Sequence, residues 1–90
     1  MAPRRSQSAG ASRRPSRKHR LQALADRVRT LRTERGLTQR AAARLIGVGP
    51  PVVRRLEGGI ANPSLAVLVS VARAFGVTLG YLFGKRGKRE

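Results

Sequence analysis

The sequence predicts an all-α fold, one small domain of five short helices between Leu21 and Phe83. Two observations carry this. Apolar residues recur every three or four positions, as in Leu21, Leu24, Ala25, Val28 and Leu31, and no strand-type alternation appears anywhere. Between the apolar runs stand signals that stop and restart a helix: Gly36 before Thr38, Gly47 before Pro50, Gly58-Gly59 before Ser64, and Gly76 before Thr78. A chain of 90 residues has room for one such domain.

The first helix is expected over Leu21–Arg35, with Asp26, Arg27, Arg29 and Glu34 turned outward. Gly36 stops it, and Leu37 packs as the apolar residue ahead of the next cap. Thr38 caps a second helix carrying Ala41, Ala42, Ala43, Leu45 and Ile46, and Gly47 ends it. Val48 and Gly49 make a short bridge before Pro50 opens a third helix, since proline is accepted in a first turn. Two helices joined by so short a turn cross steeply, which is the helix-turn-helix arrangement. Ala43 supplies the small side chain that such a crossing needs. This stretch alone also suits any small helical hairpin. The third helix ends in Arg54, Arg55 and Glu57. Asn62-Pro63 marks a turn, and Ser64 caps a fourth helix with a buried stripe of Leu65, Leu68, Val71, Ala72 and Phe75. Thr78 caps a short last helix holding Leu79, Leu82 and Phe83.

Charge narrows the partner. The net charge is +16 and the pI about 12.0, a balance that points to a polyanion. It is unevenly placed: residues 1–20 hold seven basic residues and no acid, residues 21–83 carry net +6, and residues 84–90 net +3. The first twenty residues are rich in Arg, Ser, Ala and Pro and have almost nothing to bury, so they are expected to form a disordered basic arm. Such an arm tracks phosphates or lies in a minor groove; the other reading is a solvated tail. Residues 84–90 make a short basic tail. No apolar run reaches about 18 residues, so no membrane partner is expected. Cysteine is absent, which excludes disulfides, thiolate catalysis and Cys-type zinc sites. With one His and one Met, neither metal nor cofactor is expected. Catalysis needs a base or nucleophile pair, and the domain holds only Asp26, Glu34 and Glu57, so no enzyme is expected. So small a domain also lacks room for both a core and a small-molecule pocket.

Four motifs stand in register over Leu24–Phe83: RGLTQ, V-x-R-x-E with its following Gly, NPSL, and A-x-x-F-G-V. Together they resemble the Cro/repressor helix-turn-helix domain (lambda-repressor-like, xenobiotic-response-element type). The resemblance implies a bacterial or phage transcription regulator, cytoplasmic and nucleoid-associated. It would act as a repressor or autoregulator that binds double-stranded DNA, commonly as a homodimer. It assigns Gln39, at the start of the second helix, to a phosphate, with Thr38 and Arg40 beside it; a helix N-terminus suits an anion. It puts Pro50, Pro51, Val52, Arg54 and Arg55 on the start and outer face of the recognition helix, and adds Asn62 as a further DNA contact. Arg32 and Glu57 match a pair that ties the first helix to the end of the third. Leu79, Tyr81, Leu82 and Phe83 are the expected dimer surface, with half-sites about 34 Å apart. The other reading is that these side chains only close the monomer's core.

The departures from the family pattern matter as much. Gly49 stands where a polar cap is usual, and Pro50 and Pro51 occupy base-reading positions. A proline side chain cannot donate a hydrogen bond, which limits readout there to apolar contact, for example with a thymine methyl. The burden moves to Arg55, with Arg54 second; one bidentate Arg–guanine contact supplies roughly 1–3 kcal/mol of discrimination. The loop Gly58-Gly59-Ile60-Ala61 lacks basic residues, so the tails are expected to take over phosphate contacts. Ala42 stands where the family often has Leu, a loss of about 2–5 kcal/mol unless a neighbour such as Phe75 fills the space. Two other functions fit these features. One is a weakly specific nucleic-acid binder driven by the tails, the other a protein-interaction adaptor or antitoxin-like partner.

Overall fold

In the computed structural model, which describes residues 17–60 and 62–84, the order is α1 Arg17–Glu34, α2 Gln39–Ile46, α3 Pro50–Gly58, α4 Leu65–Phe75 and α5 Leu79–Leu82. Most of the expected arm, the tail beyond Gly84 and the loop residue Ala61 lie outside the described residues. The first helix starts four residues earlier than its apolar pattern shows. Residues 17–20 are Arg, Lys, His and Arg, which contain no apolar residue and so leave no periodic mark, yet Arg and Lys are good helix formers. From Leu21 onward the pattern holds, and Leu24, Ala25, Val28 and Leu31 are buried.

The boundaries of α2, α4 and α5 follow from side chains. Thr38 Oγ1 accepts from the Ala41 N–H at 3.0 Å, Ser64 Oγ from Val67 at 3.2 Å, and Thr78 Oγ1 from Tyr81 at 3.1 Å. Each satisfies one of the orphan donors of a helix start. At the end of α2, Gly47 turns left-handed (φ +94°), and the Gly47 and Val48 amides both donate to the Ala43 carbonyl. The glycine pair at the end of α3 divides its work. Gly58 stays helical, while Gly59 takes the left-handed turn (φ +71°). A Cβ on Gly59 would stand 3.3 Å from Gln22 Oε1 of α1, so the end of α3 approaches α1 closely there.

The helices α1, α3 and α2 pack in sequence, α4 lies on α2, and α5 closes the bundle against α1 and α4. Leu24, Val28, Leu31, Val53, Leu56, Val71 and Leu82 are the large fully buried side chains at the centre. Ala43 is buried in the same core cluster as Val53 and Leu56 of α3, and Ala42 and Phe75 belong to that cluster too.

Two expectations need correction. Leu65 is 66% exposed, because the first turn of α4 overhangs the core and the buried stripe begins further along. Leu82 is 0% exposed, so its side chain closes the monomer's core and offers nothing to a second copy. Leu79, Tyr81 and Phe83 are half-buried. Burying one leucine contributes about 1.5–3 kcal/mol, and a four-residue helix has one position that faces fully inward.

Candidate nucleic-acid interface

The site is built around Glu57, in the last turn of α3. Its side chain is 3% exposed, and a carboxylate near a helix C-terminus is opposed by the helix dipole, so it needs partners. It has three donors. Arg32 of α1 gives Nε to Oε2 at 2.6 Å and Nη2 to Oε1 at 3.0 Å, a two-pronged contact, and Gln39 Nε2 of α2 donates to Oε1 at 3.1 Å. The Glu57 hydrogen bond raises the Arg32 pKa above the ordinary arginine value, although burial pulls the other way. The remaining prong of Arg32, Nη1, donates to the Leu37 carbonyl at 2.8 Å. One guanidinium therefore fixes α1, the α1–α2 turn and α3 together.

Arg29, expected to face outward, instead reaches across to α3. Its Nη2 donates to the Glu57 carbonyl at 2.8 Å, while its Nε lies 3.9 Å from Oε1. A cation on the last carbonyls of a helix is favoured by the dipole. Arg27 also turns to a partner, with its guanidinium 3.9 Å from the centre of the Tyr81 ring on α5. The sequence carries a signal for Arg29, which stands one turn before Arg32 on the same face of α1.

Of the residues assigned to DNA, Thr38 is exposed with its hydroxyl given to the α2 cap, and Gln39 is half-buried and held by Glu57. Arg40, Pro51, Arg54, Arg55 and Asn62 are exposed; Pro50 and Val52 are half-buried. Val52 packs against the core from its outer side. The structure brings Arg40 and Pro50 together in a crevice of about 360 Å³ that Ala43, Arg44 and Val48 complete. Asn62 lies elsewhere, in a groove with Arg20, Leu21, Pro63, Leu68 and Phe83. Arg44 is an addition to the expected set: exposed, four residues after Arg40, and on the same face of α2.

Two short helices packed on each other across a three-residue turn, the second locked at its end and bearing exposed arginines, define a helix-turn-helix module. Residues 28–82 match the helix-turn-helix family HTH_3, and the chain belongs to that family, a non-enzymatic DNA-binding one. It is similar to the HTH-type transcriptional regulator DdrOP3 of Deinococcus deserti, 41% identical over 56 residues, which are 62% of this chain and 43% of that protein. An uncharacterized HTH-type transcriptional regulator of Archaeoglobus fulgidus is 37% identical over 57 residues, covering 63% of this chain and 81% of that one. The crystal structure of an HTH_3 family transcriptional regulator from Vibrio cholerae superposes with a TM-score of 0.69 at 26% identity, over 76% of this chain and 38% of that one. The matches thus span less than half of the Deinococcus and Vibrio proteins.

Proposed function

We propose that this chain is a sequence-specific DNA-binding transcription regulator, a repressor or autoregulator, that lays α3 in the major groove of double-stranded DNA. One observation carries this reading. Glu57 locks the end of α3 to α1 and α2, while Arg54 and Arg55 on that helix stay exposed and make no hydrogen bond or ion pair among the described residues. A rigidly held helix with uncommitted guanidinium groups suits the guanine edge and phosphate. In this reading Arg55 reads bases, with Arg54 second. Thr38, Gln39 and Arg40 meet one phosphate strand, Asn62 adds a contact, and the basic arm and tail add phosphate contacts of their own. The amide of Gln39 gives one hydrogen to Glu57 and keeps a second for a phosphate oxygen. Two copies joined through Leu79, Tyr81 and Phe83 would read half-sites about 34 Å apart. The setting is the cytoplasm and nucleoid; no described helix is long and apolar enough to cross a membrane.

Salt titration of binding tests it, on the duplex upstream of the protein's own gene and on a scrambled duplex. The full chain is expected to prefer its own DNA by about a thousandfold or more. Arg55→Ala should cut that preference by roughly 5- to 150-fold. Replacing Arg4, Arg5, Arg13 and Arg14 with serine should flatten the salt dependence by up to about four logarithmic units per unit of log salt and leave the preference intact. The bare start of α3 favours a second reading, a weakly specific binder driven by its tails. Equal binding to both duplexes, lost with the arm arginines, would establish that one instead.

A further inference from the structure

We propose that the start of α3 recognises the C5-methyl group of thymine, an inference that rests on the placement of α3 in the major groove. From Val48 to Val53 no side chain carries a polar atom. The backbone donors of positions 50–52 are spent as well: Pro50 and Pro51 have no N–H, and the Val52 N–H donates to the Gly49 carbonyl at 3.0 Å. Positions 50–52 thus offer a base no free donor. A carbonyl or amino group of a base edge pressed against them would lose its water without gaining a partner. The thymine methyl is the part of the major-groove edge that gains from such contact.

The surroundings identify the polymer that brings the methyl. Arg40 and Arg44 wall the crevice in which Val48 and Pro50 sit. Arg54 and Arg55 lie one turn beyond Pro50 and Pro51 on the same helix, all four arginines being exposed. No described carboxylate competes, since Asp26 and Glu34 belong to α1 and Glu57 is buried against Arg32. An apolar floor with a cationic rim fits an apolar group carried on a polyanion. Half-buried Pro50 and Val48 supply the crevice's apolar contact for the methyl, and exposed Pro51, the next residue along α3, adds its own.

The test begins by enriching a random duplex library on the full chain. Each thymine of the enriched half-site is then replaced, one at a time, by deoxyuridine, which removes the methyl and keeps the pairing. At one or two positions, binding is expected to weaken about three- to tenfold. In Pro50→Ala or Pro51→Ala the same replacement should cost less than about twofold, whatever the variant's overall affinity. Enriched DNA that binds equally well with uridine at every position would overturn the methyl reading and leave the regulator standing. So would methyl dependence that persists unchanged in both proline variants. A library with no enriched sequence would overturn both.

Discussion

The two ends of α3 are built in opposite ways. Its C-terminal end is a polar lock, in which a buried carboxylate takes two bonds from Arg32 and one from Gln39, and its carbonyl takes another from Arg29. Its N-terminal end has no side-chain cap, two prolines and apolar side chains only. The contrast shows how a short helix can be held firmly and still present a free surface. The side-chain bonds described for this helix are all concentrated at its C-terminal end. The opening turn is left without a polar side chain, which is the surface the proposed DNA contact would use.

The largest effect should come from breaking the lock. Arg32→Ala leaves Glu57 buried with only Gln39 and half-exposed Arg29, and should destabilise the fold by about 3 kcal/mol in thermal or urea unfolding. A loss near zero would mean that the carboxylate rotates out to water and that α3 is not held there. Thr38→Ala tests whether α2 depends on its side-chain cap as α3 does not; unfolding should show a loss of about 1 kcal/mol. The smallest effect is expected where a cap is added. Gly49 has an extended backbone that any residue adopts, and a Cβ there meets only Pro51 Cδ at an ordinary 3.5 Å. Gly49→Ser should therefore raise stability by only a few tenths of a kcal/mol. It also puts a hydroxyl beside the apolar tip, so a change in preferred DNA sequence without a change in stability would separate the two roles of this end.

Much of the fold was legible because its signals are local. Thr38, Ser64 and Thr78 cap helices through bonds three residues long, and Gly47 and Gly76 end helices by their own backbone freedom. The start of α1 was not legible, because a helix turn made of Arg, Lys and His has no apolar residue to show a period. The inward turn of Leu82 was not legible either: four residues cannot show a period, and only contact with α1 and α4 decides which side is inside. Within the interface, the resemblance supplied the Arg32 and Glu57 pair. The reach of Arg29 to the α3 carbonyl and the hold of Glu57 on Gln39 arise between residues 28 and 18 positions apart, and depend on how the helices cross.

The arginines of α1 have a consequence for how the protein is made. Arg29 and Arg32 close on Glu57, Arg35 donates to the Phe75 carbonyl at 2.9 Å, and Arg27 stacks on Tyr81. Each clamp of the first helix therefore waits for a later part of the chain. During synthesis from the N-terminus, α1 emerges first and is clasped in stages, by Glu57 once α3 is made and by Phe75 and Tyr81 only once α4 and α5 have followed. A nascent chain therefore has its basic N-terminal residues before it has a fixed α3, and α1 is fully clasped only after α4 and α5 exist.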